Sequence, residues 1–150
     1  ATGHAAGADS VAGRFARELD WVSVRWPDHS TTGPSFLLLA WDGPPLTIGA
    51  GSFLDEVVAR AGGRNIFHDL KAASGPVSLE AIVARDPDVV LSFGSDSSIL
   101  AARPEWRTVR AVRLGHFIVM HGSEFSQPSP RSPVAVARLR RALERWVPAR

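Results

Sequence analysis

The chain alternates short, wholly apolar runs with stretches whose apolar residues recur every three or four positions. SFLLLAW (35–41) and the apolar part of DPDVVLSFG (86–94) are the plainest runs. Both have strand length, and a strand apolar on both faces belongs inside a parallel sheet covered by helices. His116 to Met120 predicts a further strand, and LTI (46–48) a short one that ends in the glycine turn Gly49-Ala50-Gly51. Helical spacing fills the intervals. Val11, Phe15, Leu19 and Val22 predict an amphipathic helix over 8–24, closed by the turn-rich WPDHSTTGP. Ser52 is placed to cap a helix with Leu54, Val57, Val58 and Ala61 inward, Asp55 completing a weak capping box and Gly62-Gly63 stopping it. Ser78 opens a helix with Leu79, Ile82 and Val83 inward, and a short helix before Pro104 comes next. In the last one Ser132 caps, Pro133 opens, and Val136, Leu139, Leu143 and Trp146 face the core. Strands alternating with helices predict an α/β fold, a three-layer sandwich with a mainly parallel central sheet.

Composition narrows this picture. With 150 residues and 45% hydrophobic content the chain fits one globular domain, and it holds no apolar run of about 18 residues that would span a membrane. The sequence pI is 10.3 although the formal charge is only +2, because all but one of the basic residues are arginine. These arginines are interspersed with acids except in RLRRALER (138–145), where Arg138, Arg141 and Arg145 line the outer side of a helix. That pattern reads as a solvated face, and no nucleic-acid partner is implied. The absence of cysteine excludes disulfide scaffolds, thiolate metal sites and cysteine nucleophiles.

Three chemistries are suggested by local motifs, and each lacks a part. A dinucleotide fingerprint wants a third small residue where Leu54 stands, and no P-loop lysine is present. GSDSS (94–98), after a strand and upstream of His116 and His121, suggests a hydrolase but lacks the G-x-S-x-G of a nucleophile elbow. The five histidines show no metal-ligand spacing, and His116 and His121 would lie about 17 Å apart on an extended strand. An α/β hydrolase or a nucleotide-binding enzyme domain remains the alternative class, and a domain that binds only other proteins is a third.

PPLTIGAGSFLDEVVARAGGRNIFHD, PVSLEAIVARDPDVVLSF and SQPSPR, in that order, resemble the C-terminal lobe of the periplasmic binding proteins that deliver vitamin B12, haem and ferric siderophores to ABC importers. The resemblance covers residues 35–146. It implies a C-terminal α/β lobe over 35–150, preceded at 1–34 by a helix and linker from the interlobe region. In that family two lobes joined by a rigid helix clasp the ligand between loops at their facing edges. The resemblance thus implies a non-enzymatic, cofactor-free transport role in the periplasm. Its partners would be a small metal chelate, an ABC permease and an N-terminal lobe missing from this sequence, as is an export signal. Exposed cleft residues could otherwise pair two copies as a homodimer.

Position by position, the resemblance places ligand contacts at Trp41, Ser74, Gly94, Ser95, Asp96, Glu124, Phe125, Ser126 and Gln127. Trp41 and Phe125 form an aromatic pair suited to a large ring-bearing ligand. Glu80, in SLEAIV, matches the glutamate that docks into arginine pockets of the permease, with Asp55 and Glu56 as alternative docking acids. The chain has no tyrosine to ligate haem iron, and none of these loops carries an arginine for an anionic siderophore. A corrinoid is therefore the favoured ligand.

Overall fold

The computed structural model describes Gly13 and residues 33–93, 96–125 and 127–146. The helix predicted over 8–24, the interlobe linker, and Gly94, Ser95 and Ser126 lie outside the described residues.

A mixed sheet runs through the middle. Strand β1 (Ser35–Asp42) is its centre, with β2 (Pro45–Ile48), β3 (Arg64–Asn65), β4 (Ser74–Pro76), β5 (Val89–Ser92) and β6 (Phe117–Val119) around it in the order β4-β2-β1-β5-β6. β3 and β5 pair β1 in parallel and β6 pairs β5 the same way, whereas β2 turns back antiparallel on β1 and pairs β4 antiparallel too. Helices α1 (Phe53–Ala61), α2 (Leu79–Arg85), α3 (Ser97–Ala102), α4 (Arg110–Arg113) and α5 (Ser132–Leu143) complete the three layers predicted from the sequence, with a 3-10 segment, Pro104–Thr108, between α3 and α4.

β1 explains why both faces must be covered. Phe36 and Leu38 point into one layer, against Val57 and Val58 of α1 and Val136 and Leu139 of α5. Leu37 and Leu39 point into the other, against Ile82, Leu100, Trp106 and Val112. All four are essentially inaccessible, and burying each contributes about 1.5–3 kcal/mol.

Two glycines fix the entry and exit of α1. A Cβ on Gly49 would lie 2.1 Å from the Ala72 carbonyl oxygen and 2.5 Å from that of Leu70, so only glycine lets these backbones meet. Gly62 ends the helix at φ 95°, its N–H capping the Ala59 and Val58 carbonyls. Ser52 caps as predicted, accepting from the Asp55 N–H. The Asp55 carboxylate makes no capping box, however, because it is buried and turned to other partners: it accepts from the Asn65 amide at 2.9 Å and lies 3.0 Å from His68 Nδ1. Asn65 also donates to the Ile48 carbonyl at 2.9 Å. Since β2 and β3 share one edge of β1, that amide closes the gap where β2 departs and β3 arrives.

Other local expectations shift in detail. Ser132 opens α5 without capping it, since its hydroxyl donates to the Ser129 carbonyl at 2.7 Å and Arg131 occupies the cap position. Val83 is 39% exposed, because the seven-residue α2 rests on the sheet through Leu79 and Ile82 and leaves Val83 about 100° round the helix. Along the last helix, Arg138 turns to Glu124 and the His121 carbonyl, while Arg141 and Arg145 line a groove with Phe117 and Trp146.

Candidate functional site

Register across the sheet defines where a ligand could meet it. Gly75, Thr47, Leu39, Ser92 and Val119 form one transverse row through β4, β2, β1, β5 and β6. Beyond that row the parallel strands β1, β5 and β6 end at their carboxyl termini, the edge where open α/β sheets gather ligands. Trp41, Phe93 and Met120 stand just past it, and the connections that leave these strands form a rim.

The predicted contacts divide on this geometry. Trp41 is on the rim and 61% exposed, its indole N–H donating to the Gly43 carbonyl at 3.0 Å. Asp96 is exposed there and caps α3, accepting from the Ser98 N–H at 3.3 Å. Gln127 is exposed beyond β6. Ser74 is exposed but pairs with Ile48, one step behind the transverse row, so the rim above β4 is formed by Pro76, Val77 and Ser78 instead.

Phe125 and Glu124 correct the reading of an open aromatic pair. Phe125 is 2% exposed and packs in the core beneath α1 and α5, so its ring is unavailable to a ligand. Arg138 covers it from above, with the guanidinium carbon 5.6 Å from the ring centroid. The same arginine forms an ion pair with the buried Glu124. A hydrogen bond from its own backbone N–H holds the Glu124 carboxyl below the usual range; burial opposes this, and Arg138 reinforces it.

Among the three acids expected to dock a permease the structure separates one from the others. Glu80 is exposed in the first turn of α2, which starts right after β4 ends on the rim side. Glu56 is also exposed but is paired with Arg60 at 2.9 Å on α1, a helix reached from the opposite end of β2. Asp55 is buried against Asn65 and His68 and offers no carboxylate to a partner.

One rim residue escaped the sequence reading. Arg103, at the end of α3, donates to the Asp42 carbonyl at 3.2 Å and places a guanidinium nitrogen 3.8 Å from the Asp42 carboxylate. Its position depends on a contact between residues 61 apart, which no local pattern signals. The far end of the sheet is closed by contrast: Asp88 accepts from the Ser35 N–H at 2.9 Å, the Ser35 hydroxyl at 2.8 Å and Arg110 at 2.9 Å. Burial pushes the Asp88 carboxyl up, but these hydrogen bonds together hold it below its ordinary value.

The alternative chemistries find little support in this arrangement. In the glycine turn the Gly49 and Ala50 N–H groups are already bonded to the Ala73 and Leu70 carbonyls, so they cannot cradle a phosphate. Ser97 donates to Asp96, while His116 sits at the other end of its strand, its Nδ1 3.1 Å from the Asp88 carbonyl and its ring against Trp146. Among the described residues no group of three or more histidines and acids could hold a metal ion, and no helix is long and apolar enough to cross a membrane.

A helix-flanked α/β sheet of this kind has counterparts among known proteins. The family model described as periplasmic binding protein matches residues 1–124. The chain belongs to that family. A cobalamin-binding protein of Halobacterium salinarum is 27% identical over 150 residues, covering 94% of this chain and 40% of its own length. A vitamin B12-binding protein of Salmonella paratyphi A is 31% identical over 100 residues, covering 67% of this chain and 36% of its own. The chain therefore spans less than half the length of these curated relatives. Among solved structures, the periplasmic heme-binding protein BhuT in complex with two hemes superposes with a TM-score of 0.75 at 25% identity, over 93% of this chain and 56% of that one. The periplasmic vitamin B12 binding protein BtuF of Vibrio cholerae gives 0.68 at 22% identity, over 89% and 52%. The α/β fold with mostly parallel central strands is thus that of the family, and these relatives are named as binding proteins rather than enzymes.

Proposed function

We propose that this chain is the C-terminal lobe of a substrate-binding protein of an ABC importer, which captures a ring-bearing metal chelate at its rim and presents it to a permease. The observation that carries the proposal is Trp41: a large aromatic left 61% exposed at the carboxyl edge of the parallel strands in a chain of this family. An indole in that position supplies a flat apolar platform for a macrocycle, and a second lobe closing over it would exclude water from the bound face.

A corrinoid is the favoured cargo because the curated relatives are named for cobalamin and vitamin B12. Haem and ferric siderophores are the other members of the class. Glu80 is the docking carboxylate in this reading, exposed at the start of α2 beside the rim. It would steer the loaded protein toward a basic permease surface. The setting is the periplasm or another extracytoplasmic space.

Titration of cyanocobalamin into the full-length gene product tests the proposal. Trp41→Ala is expected to weaken binding by roughly tenfold, and Glu80→Arg to leave affinity intact while reducing co-purification with the permease. Cobalamin, haemin and ferric siderophores all failing to bind would overturn the transport reading. Permease association unchanged in Glu80→Arg would remove the docking role alone.

A further inference from the structure

A single turn at the rim holds two unlike side chains. The Trp41 indole N–H is tied to the Gly43 carbonyl at 3.0 Å, and Arg103 donates to the preceding carbonyl, that of Asp42, at 3.2 Å. The two anchors are adjacent residues, so ring and guanidinium flank the same loop. Arg103 also approaches Gly43 closely, since a Cβ built there would lie 3.4 Å from its Nη1. The indole is 61% exposed and the Arg103 side chain 39%. Among the described residues, one of the five N–H donors that a guanidinium carries makes a hydrogen bond, to the Asp42 carbonyl, and the Asp42 carboxylate is ion-paired with it at 3.8 Å, beyond hydrogen-bond length. The other guanidinium N–H groups meet no further hydrogen-bond acceptor among the described residues, and such a planar group suits an anionic oxygen.

We infer that Trp41 and Arg103 together recognise a macrocycle bearing an anionic arm: the ring lies on the indole and the arm's oxygens meet the guanidinium. This rests on the rim being the ligand-facing edge, as proposed above. It replaces the expectation, drawn from sequence, that no arginine serves the cleft. The shared chemistry is a charged oxygen group at the edge of a large ring, and two sources satisfy it. One is the phosphodiester in the nucleotide tail of a corrinoid, the other a carboxylate of haem.

Paired probes distinguish them. The full-length gene product is titrated with cyanocobalamin and with cobinamide, which keeps the corrin ring but lacks the phosphodiester. It is also titrated with haemin and with haemin dimethyl ester, whose carboxylates are capped. The natural ring is expected to bind about tenfold more tightly with its anionic group than without it. Arg103→Gln is expected to erase that preference while leaving binding of the member without the anionic group, and the thermal midpoint, unchanged. Arg103→Lys, which keeps the charge but not the fork, should restore part of it.

A preference that survives Arg103→Gln, or no preference in the parent protein, overturns the assignment. Equal weakening of both members of a pair also overturns it, because the arginine would then act only by shaping the turn. Failure of every probe would sink the rim reading and this inference together, whereas binding that depends on Trp41 but not on Arg103 would sink the inference alone.

Discussion

Two strands that end at the rim each have an aromatic at or after the end, and the connections that follow treat it in opposite ways. After β1 the chain reverses through Gly43-Pro44 into β2, and Trp41 is left largely in solvent. After β6 it makes a short 3-10 turn, Ser123–Phe125, and then enters α5, which packs back over Phe125 with Arg138 above the ring. The residue class is similar, and the difference lies in the element that each turn leads into. A hairpin returns to the sheet and brings nothing to lie over its own tip, while a helix that must bury an apolar stripe covers the turn before it. An aromatic at or beyond a strand end is thus left in solvent or taken into the core according to the next element.

This contrast can be broken most directly at the closed turn. Phe125→Ala should destabilise the protein by about 3–5 kcal/mol, read from urea unfolding, because the cavity opens between α1 and α5. A loss as small as that of a surface substitution would mean that the turn is not closed. A smaller effect is expected from Glu124→Gln, and its pH dependence sharpens the comparison. The Glu124 carboxyl is held below its ordinary value in the folded chain, so its contribution is fully present above the unfolded pKa of about 4.3 and is lost as the pH falls through the folded one. Unfolding midpoints of parent and variant should differ at pH 7 and converge in acid; a constant gap would show that the ionised pair with Arg138 is not responsible. The smallest change in stability belongs to Trp41→Ala, within about 0.5 kcal/mol as for other exposed positions. A loss of several kcal/mol there would show that the indole supports the hairpin and is not free for a ligand.

The same contrast shows how far the sequence could be read. SFLLLAW and DVVLSF announced central strands because burial on both faces leaves no polar alternation, and such a signal is local. Ser52 and Gly62 likewise marked the ends of α1 through chemistry confined to a turn. Trp41 and Phe125 could not be told apart, since each is an aromatic at or beyond the carboxyl end of a strand and only the packing of α5 decides between them. Asp55 carried the pattern of a capping acid, yet its partners Asn65 and His68 lie 10 and 13 residues on. Arg103 was illegible for the same reason, its place at the rim being set by the distant hairpin that it touches.

The start of α2 has a bearing on how cargo would change hands. Only Val77 and Ser78 separate β4 from that helix, so Glu80 stands on the side of the lobe that also displays the indole. If Glu80 is the docking carboxylate proposed above, whatever grips it arrives already facing the indole. Recognition of the carrier and access to its freight would then share one orientation, and a delivered molecule would need no second turn of the protein to be handed over.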